Sequence, residues 1–187
     1  MLQRQDCGPA VFLSASDMTT SSRPWIKPAA AAALVLALAG VGYTAFYSAT
    51  PAPNVTFISI AGDKISTESL RGKVVMVNFW ATSCVTCVKE MPQMVETYEK
   101  YKKQGLEFVA VAMQYDPPNY VLNFTETRKL PMVVAIDSAG DIARQFSDVS
   151  LTPTTFVIDK EGRIIKRYVG EPDFQELHKL VEKELAS

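Results

Sequence analysis

The chain has 187 residues, enough for one well-buried domain with an appendage but few for two full domains. Its formal net charge is −1, with 19 Lys and Arg residues against 20 Asp and Glu residues, and the basic residues form no continuous stripe. This balance argues against nucleic acid as a partner, because phosphate binding requires concentrated positive charge.

Residues 29–49 carry no charge and are dominated by Ala, Leu, Val, Phe and Tyr. The segment is about as long as the roughly 20 apolar residues of a membrane-spanning helix, and it has no polar face at helical spacing. Arg23 and Lys27 precede it and no basic residue follows until Lys64. The positive-inside rule therefore predicts a cytoplasmic segment 1–28, a single-pass inner-membrane anchor and an exported remainder in the periplasm.

Two alternatives remain open for this N-terminal region. A cleaved signal peptide is one, although Tyr47 would occupy a position that prefers a small residue at a cleavage site. A start at Met18 is the other, and the protein would then lack Cys7. With an uncleaved anchor, Cys7 lies across the membrane from the later cysteines.

The pattern after the apolar segment predicts an α/β domain over residues 55–187. Residues 50–54, with two prolines, are expected to form an extended linker. Val55–Ile60, a turn and Lys64–Ile65 predict a small β-hairpin. Lys73–Trp80 is nearly all apolar, which is typical of a central strand covered on both faces.

The remaining segments alternate between helical and strand patterns. A helix after Cys84 contains Pro92, which is expected to kink it. Its predicted apolar face consists of Val88, Met91, Val95, Tyr98 and Tyr101. Next come strand 106–113, helix 119–129, strand 132–136, helix 142–146, strands 155–159 and 163–169, and helix 174–185. The strand–helix–strand order predicts parallel pairs, and the last two strands predict an antiparallel pair. Together they indicate a mixed sheet.

Cys84 and Cys87 follow the apolar strand and stand at the start of the next helix. Backbone N–H groups and the helix dipole favour a thiolate there, which is the form that attacks disulfides. A zinc site lacks ligands, because the exported part has no further cysteine and one histidine, His178. A structural disulfide would close too small a loop to stabilise the fold much. A catalytic dithiol fits both the motif and the expected compartment.

The run Val77–Pro92, with sequence VNFWATSCVTCVKEMP, resembles the active-site segment of the thioredoxin fold, in its membrane-anchored TlpA-like and ResA-like branch. Leu70–Val75 and Leu151–Asp159 also match the family's pattern, and the resemblance covers nearly all of residues 55–185. It implies a thioredoxin-like fold with a central mixed sheet flanked by helices, an N-terminal hairpin and an inserted helix and strand within residues 117–136.

The resemblance also implies roles for individual residues. Cys84 would be the attacking thiolate, and Cys87 would resolve the mixed disulfide formed with a substrate. Thr152 and Pro153 would form a cis-proline loop that presents its backbone to an extended substrate segment. The redox-active disulfide of the two cysteines would be the only cofactor, with no metal.

Glu90 matches an acidic residue that tunes proton transfers of the dithiol in the ResA-like branch, with a solvated helix glutamate as the alternative. Asn78 stands where thioredoxins carry a buried aspartate, and an amide takes up no proton, so Glu90 is the candidate base. Trp80 is expected to flank the dithiol and bind substrate, unless it belongs to the core. Ser83 and Thr86 replace the family's usual tryptophan and proline, at positions that influence the thiolate pKa and reduction potential.

These observations predict a monomeric periplasmic thiol:disulfide oxidoreductase that reduces exported proteins with electrons from a thiol-reducing membrane donor. The resemblance suggests apocytochrome c cysteines or copper-site dithiols as substrates. A thiol peroxidase of the peroxiredoxin class is one alternative, although no arginine lies close to Cys84 in sequence. A non-enzymatic copper-binding assembly factor is another alternative, and such a site would require cysteines spaced by three residues and a well-placed histidine.

Overall fold

The computed structural model describes residues 50–187, which alternate between strands and helices. The elements in chain order are β1 (Thr50–Pro51), β2 (Thr56–Ile58), β3 (Lys64–Ser66), β4 (Val74–Trp80), α1 (Val85–Tyr101), β5 (Leu106–Ala112), α2 (Pro118–Arg128), β6 (Val133–Ile136), α3 (Asp141–Gln145), β7 (Thr154–Ile158), β8 (Arg163–Val169) and α4 (Phe174–Ala186).

Six strands form a mixed sheet in the order β1-β8-β7-β4-β5-β6, which confirms the predicted sheet type. Strands β4, β5 and β6 are parallel, whereas β7 pairs antiparallel with both β4 and β8. Every residue of β4 is buried, because the strand has neighbours on both sides and covered faces above and below. Strands β2 and β3 form the predicted hairpin, and Ser59 just beyond β2 bridges to Ala135 of β6.

The segment 50–54, expected to be an extended linker, is in contact with the domain, because Thr50–Pro51 form a strand of its sheet. Thr50 and Pro51 pair with Ile164 and Arg163 on the outer side of β8. The Ala52 N–H continues this contact by donating to the carbonyl oxygen of Gly162 at 2.9 Å. A strand of two residues is too short to show the alternating hydrophobic pattern of a strand. Its pairing depends on the exposed edge of a strand more than 100 residues later, so the sequence could not predict it.

The predictions for segments 1–28 and 29–49, including the start at Met18 and the position of Cys7, lie outside the described residues. Within residues 50–187, no helix combines the length and the apolar character that crossing a bilayer requires.

The core has one layer on each face of the sheet. Helices α1 and α4 cover the first face, where Met76, Met94 and Leu177 are buried. On the second face the aromatic rings of Phe79, Phe146 and Phe156 pack edge to face, with centroids 5.2–6.0 Å apart.

The buried face of α1 differs from the predicted one. Met91 and Tyr101 are buried as expected, but Val88 and Val95 are only half-buried. Glu90 and Thr97 are buried in addition, together with Met94 and Cys87. The helix therefore buries two polar side chains, of which Glu90 has a polar partner in Asn78 of β4 and Thr97 lies against His178 of α4.

Candidate active site

The two cysteines lie where β4 ends and α1 begins, and they form a disulfide with a Cα–Cα distance of 5.2 Å. Cys84 is the N-cap residue of α1, and its Sγ accepts a hydrogen bond from the backbone N–H of Cys87 at 3.2 Å. Cys87 is fully buried, whereas Cys84 is half-buried. Cys84 Sγ is therefore the accessible sulfur, and the start of the helix stabilises negative charge on it after reduction.

The peptide bond between Thr152 and Pro153 is cis, as the resemblance implied. Strand β7 begins directly after it, and Thr154 pairs with Phe79 near the end of β4. The cis-proline loop therefore lies at the same end of the central strands as the dithiol. The Gly170 N–H fixes the loop by donating to the Pro153 carbonyl oxygen at 2.8 Å.

Glu90 is 1% exposed, which excludes the alternative of a solvated helix glutamate. Asn78 Nδ2 donates to Glu90 Oε1 at 3.2 Å and to Thr155 Oγ1 at 2.9 Å. Glu90 Oε2 has no hydrogen-bond partner among residues 50–187. Burial raises the pKa of the Glu90 carboxyl from 4.5 to about 7; the hydrogen bond from Asn78 opposes this rise and the charge of Glu171 adds to it.

Glu90 follows Cys87 by one helical turn, and both side chains are buried on the same side of α1. At this spacing two Cβ atoms lie about 5–6 Å apart. A carboxyl group with a pKa near neutrality is thus adjacent to the buried thiol of the pair.

Trp80 has no exposed surface, so the prediction that it binds substrate is corrected. Its ring packs against Phe124 of α2 with centroids 5.1 Å apart. The indole belongs to the core beneath the dithiol, because β4 continues its fully buried face up to its last residue. The prediction could not include Phe124, which reaches Trp80 from a distant helix.

Exposed apolar or aromatic side chains surround the dithiol and the cis-proline loop: Val85, Tyr115, Leu151 and Val169. Val85 is 82% exposed and Leu151 is 63% exposed. The sequence analysis missed this surface. Two of its members directly follow or precede motif residues, and that adjacency was the signal available in the sequence.

A family model described as Redoxin matches residues 48–181. The chain belongs to this family. Thiol-disulfide oxidoreductase ResA of Bacillus thuringiensis subsp. konkukian is 39% identical over 132 residues, which cover 71% of this chain and 75% of the relative. ResA of Bacillus subtilis is 32% identical over 160 residues, covering 82% and 88%. Such identities place the chain in the ResA-like branch.

Solved structures agree with this assignment. A thiol:disulfide interchange protein of the thioredoxin family from Chlorobium tepidum has a TM-score of 0.67 and 30% identity, covering 73% of this chain and 97% of that one. StoA from Bacillus subtilis has a TM-score of 0.59 and 25% identity, covering 69% and 98%. This ResA-like protein is therefore a thiol:disulfide oxidoreductase with a thioredoxin-like fold, and its site performs thiol–disulfide exchange.

The histidine of the ResA-like domain lies away from the dithiol. The ring Nε2 of His178 on α4 is 2.9 Å from Thr97 Oγ1. Thr97 is about 15 Å along α1 from Cys87, at 1.5 Å per residue. Within residues 50–187, no three His, Cys, Asp or Glu side chains form a group that could hold a metal ion.

Proposed function

We propose that this protein is a reductase anchored in the inner membrane, and that it reduces disulfides of exported proteins in the periplasm. The apocytochrome c haem-site cysteines, or a copper-site dithiol, are the proposed substrates. The apolar segment 29–49 with its basic N-terminal flank supports the anchor and the orientation. The observation that carries the proposal is the unequal exposure of the two cysteines, with Cys84 accessible and Cys87 buried.

The proposed reaction begins with both cysteines reduced. The Cys84 thiolate attacks one sulfur of the substrate disulfide, forms a mixed disulfide and releases the other substrate sulfur as a thiolate, which takes up a proton. The Cys87 thiol then loses its proton and attacks Cys84 Sγ. This step forms the Cys84–Cys87 disulfide and releases the second substrate thiol. Two electrons pass to the substrate, and a membrane dithiol donor returns them in the reverse exchange.

Glu90 is the proposed acceptor of the Cys87 proton. The thiol of Cys87 is buried, so water does not reach it freely, and Glu90 lies one helical turn further along α1. A pKa of about 7 suits a base that takes up a proton near neutral pH and returns it later. Asn78 holds one oxygen of this carboxyl, which leaves Oε2 available for the transfer.

The exposed apolar surface around the dithiol supports protein substrates. Leu151 and Val169 flank the cis-proline loop, and Val85 lies beside Cys84. An extended polypeptide with apolar side chains next to its disulfide would cover these groups and bring its sulfur to Cys84 Sγ. We propose that the protein performs this exchange as a monomer.

Reduction of insulin disulfides by the purified full chain tests the chemistry. Cys84→Ser should abolish turnover, and Cys87→Ser, the matched control, should retain the first attack and accumulate a mixed disulfide. Equal activity of the wild type and Cys84→Ser would refute Cys84 as the nucleophile. A Cys84→Ser protein that forms the mixed disulfide through Cys87 would refute the assigned order.

The direction of electron flow needs two further measurements. The reduction potential against glutathione should be more negative than that of the glutathione couple, and the cysteines should be mainly reduced in cells. A protein that is mainly oxidised in cells and oxidises dithiols faster than it reduces disulfides would refute the reductase proposal. Peroxide turnover that requires Cys84, without disulfide exchange, would establish the peroxidase alternative.

A further inference from the structure

The loop Met113–Pro117, between β5 and α2, contacts both sides of the dithiol site, and we name it the brace loop. Its residue Asp116 is 2% exposed, and both carboxylate oxygens have partners. Asp116 Oδ2 accepts from the Thr82 backbone N–H at 2.6 Å, and Oδ1 accepts from the Thr82 hydroxyl at 2.5 Å. A buried carboxylate thus holds one residue by its main chain and its side chain together.

Thr82 lies in the turn that connects β4 to Cys84. The Cys84 N–H closes this turn by donating to the Ala81 carbonyl oxygen at 3.1 Å. The Trp80 carbonyl oxygen accepts from the Met113 N–H at 3.0 Å, so the start of the turn is also attached to the brace loop. Asp116 consequently fixes Thr82, which lies two residues before the nucleophile in this turn.

The same loop reaches the other side of the site through Tyr115. The Tyr115 and Thr152 hydroxyls lie 3.2 Å apart and form a hydrogen bond, which attaches the brace loop to the cis-proline loop. The Asp116 N–H donates to the Met113 carbonyl oxygen at 2.9 Å and thereby fixes the backbone that carries both side chains. One short loop therefore connects the nucleophile turn with the substrate-binding loop.

We propose that Asp116 is a positioning residue for Cys84, and that the brace loop sets the separation between Cys84 and the cis-proline loop. Thiol–disulfide exchange requires the attacking sulfur to approach the disulfide in line, so small displacements of Cys84 lower the rate. Asp116 acts through Thr82 and does not touch the reacting sulfurs. The proposal rests on the reductase activity proposed above.

Asp116→Ala removes both hydrogen bonds and should lower kcat/KM for insulin reduction about tenfold, mainly through kcat. Asp116→Asn should stay within about twofold of the wild type. Its Oδ1 can accept the Thr82 N–H while the hydroxyl rotates to accept from Nδ2. Thr82→Val keeps the backbone hydrogen bond alone and should lower kcat/KM about threefold. Tyr115→Phe should raise KM and leave kcat unchanged.

Asp159→Ala is the matched control. Asp159 is also buried and accepts a backbone N–H and a side-chain donor, both from Arg163, but it lies beyond the other end of β7. This variant should lose stability in the way that Asp116→Ala does and keep the wild-type kcat/KM.

If the wild type turns over and Asp116→Ala has the same kcat/KM, the inference is overturned and the proposed function stands. If the wild type itself shows no turnover, the proposed function is refuted. An equal loss in Asp116→Asn and Asp116→Ala would show that charge matters and positioning does not, which also overturns the inference. If Asp116→Ala does not fold, the test is the order of kcat/KM among the wild type, Asp116→Asn and Thr82→Val. A Thr82→Val protein whose kcat/KM equals that of the wild type refutes the inference.

Discussion

Glu90→Gln should stabilise the oxidised protein by an amount that grows as the pH rises from 4.5 through neutrality, and it should have little effect below pH 4.5. The pKa of the Glu90 carboxyl is about 7 in the folded protein against an ordinary value of 4.5, because burial disfavours the charged form. Between these values the folded state binds more protons than the unfolded state, so the free energy of unfolding falls as the pH rises through this window. Gln keeps the hydrogen bond from Asn78 and does not ionise.

The size of the effect follows from the difference between the two pKa values. At 1.36 kcal/mol for each pH unit, the difference between 4.5 and about 7 corresponds to about 3 kcal/mol. The stability advantage of Glu90→Gln should therefore grow from near zero at pH 4.5 to about 3 kcal/mol at pH 8 and remain constant above it.

Urea unfolding of the oxidised wild type and variant at half-unit steps from pH 4.5 to 8.5 measures this advantage. Glu96→Gln, which removes a carboxylate from the exposed side of α1, is the control for the loss of one charge from the same helix. Wild-type and Glu90→Gln curves that run parallel over the whole range would show that Glu90 titrates normally, and the argument from burial would fail.

Two further changes have defined outcomes. In Glu171→Gln, the fall of unfolding free energy with pH should occur at lower pH than in the wild type, because the Glu171 charge raises the pKa of Glu90. The same urea experiment would contradict this if the fall occurred at the wild-type pH. Phe146→Ala should cost about 3–5 kcal/mol of unfolding free energy, since Phe146 is fully buried and packs edge to face against Phe79 and Phe156. A loss below about 1 kcal/mol would show that the second core layer collapses around the cavity.

The sequence was sufficient to predict the elements that carry the dithiol. Lys73–Trp80 predicted a central strand, and Val74–Trp80 is that strand. Cys84 at a predicted helix start is the N-cap residue of α1. Both predictions depend on local information, because an unbroken apolar run and a helix start are properties of neighbouring residues.

Features that depend on distant partners were predicted less well. Glu90 and Thr97 are buried although helical spacing favoured Val88 and Val95, because a helix is oriented by all of its contacts and not by apolar residues alone. Trp80 was expected to bind substrate unless it belonged to the core, and the sequence could not decide between the two because its partner Phe124 lies on a later helix. The position of a motif predicts which groups react, whereas burial and proton affinity depend on long-range packing.

Only one sulfur of the dithiol can be reached from outside, since Cys84 is half-buried and Cys87 is fully buried. Both partners of the exchange must therefore react at the same atom, so the enzyme cannot react with the two at once. Steady-state kinetics should then be ping-pong, with parallel double-reciprocal plots and mutual competition between donor and substrate. Electrons consequently pass through the protein in two successive exchanges at Cys84, never in one complex with both partners reacting together.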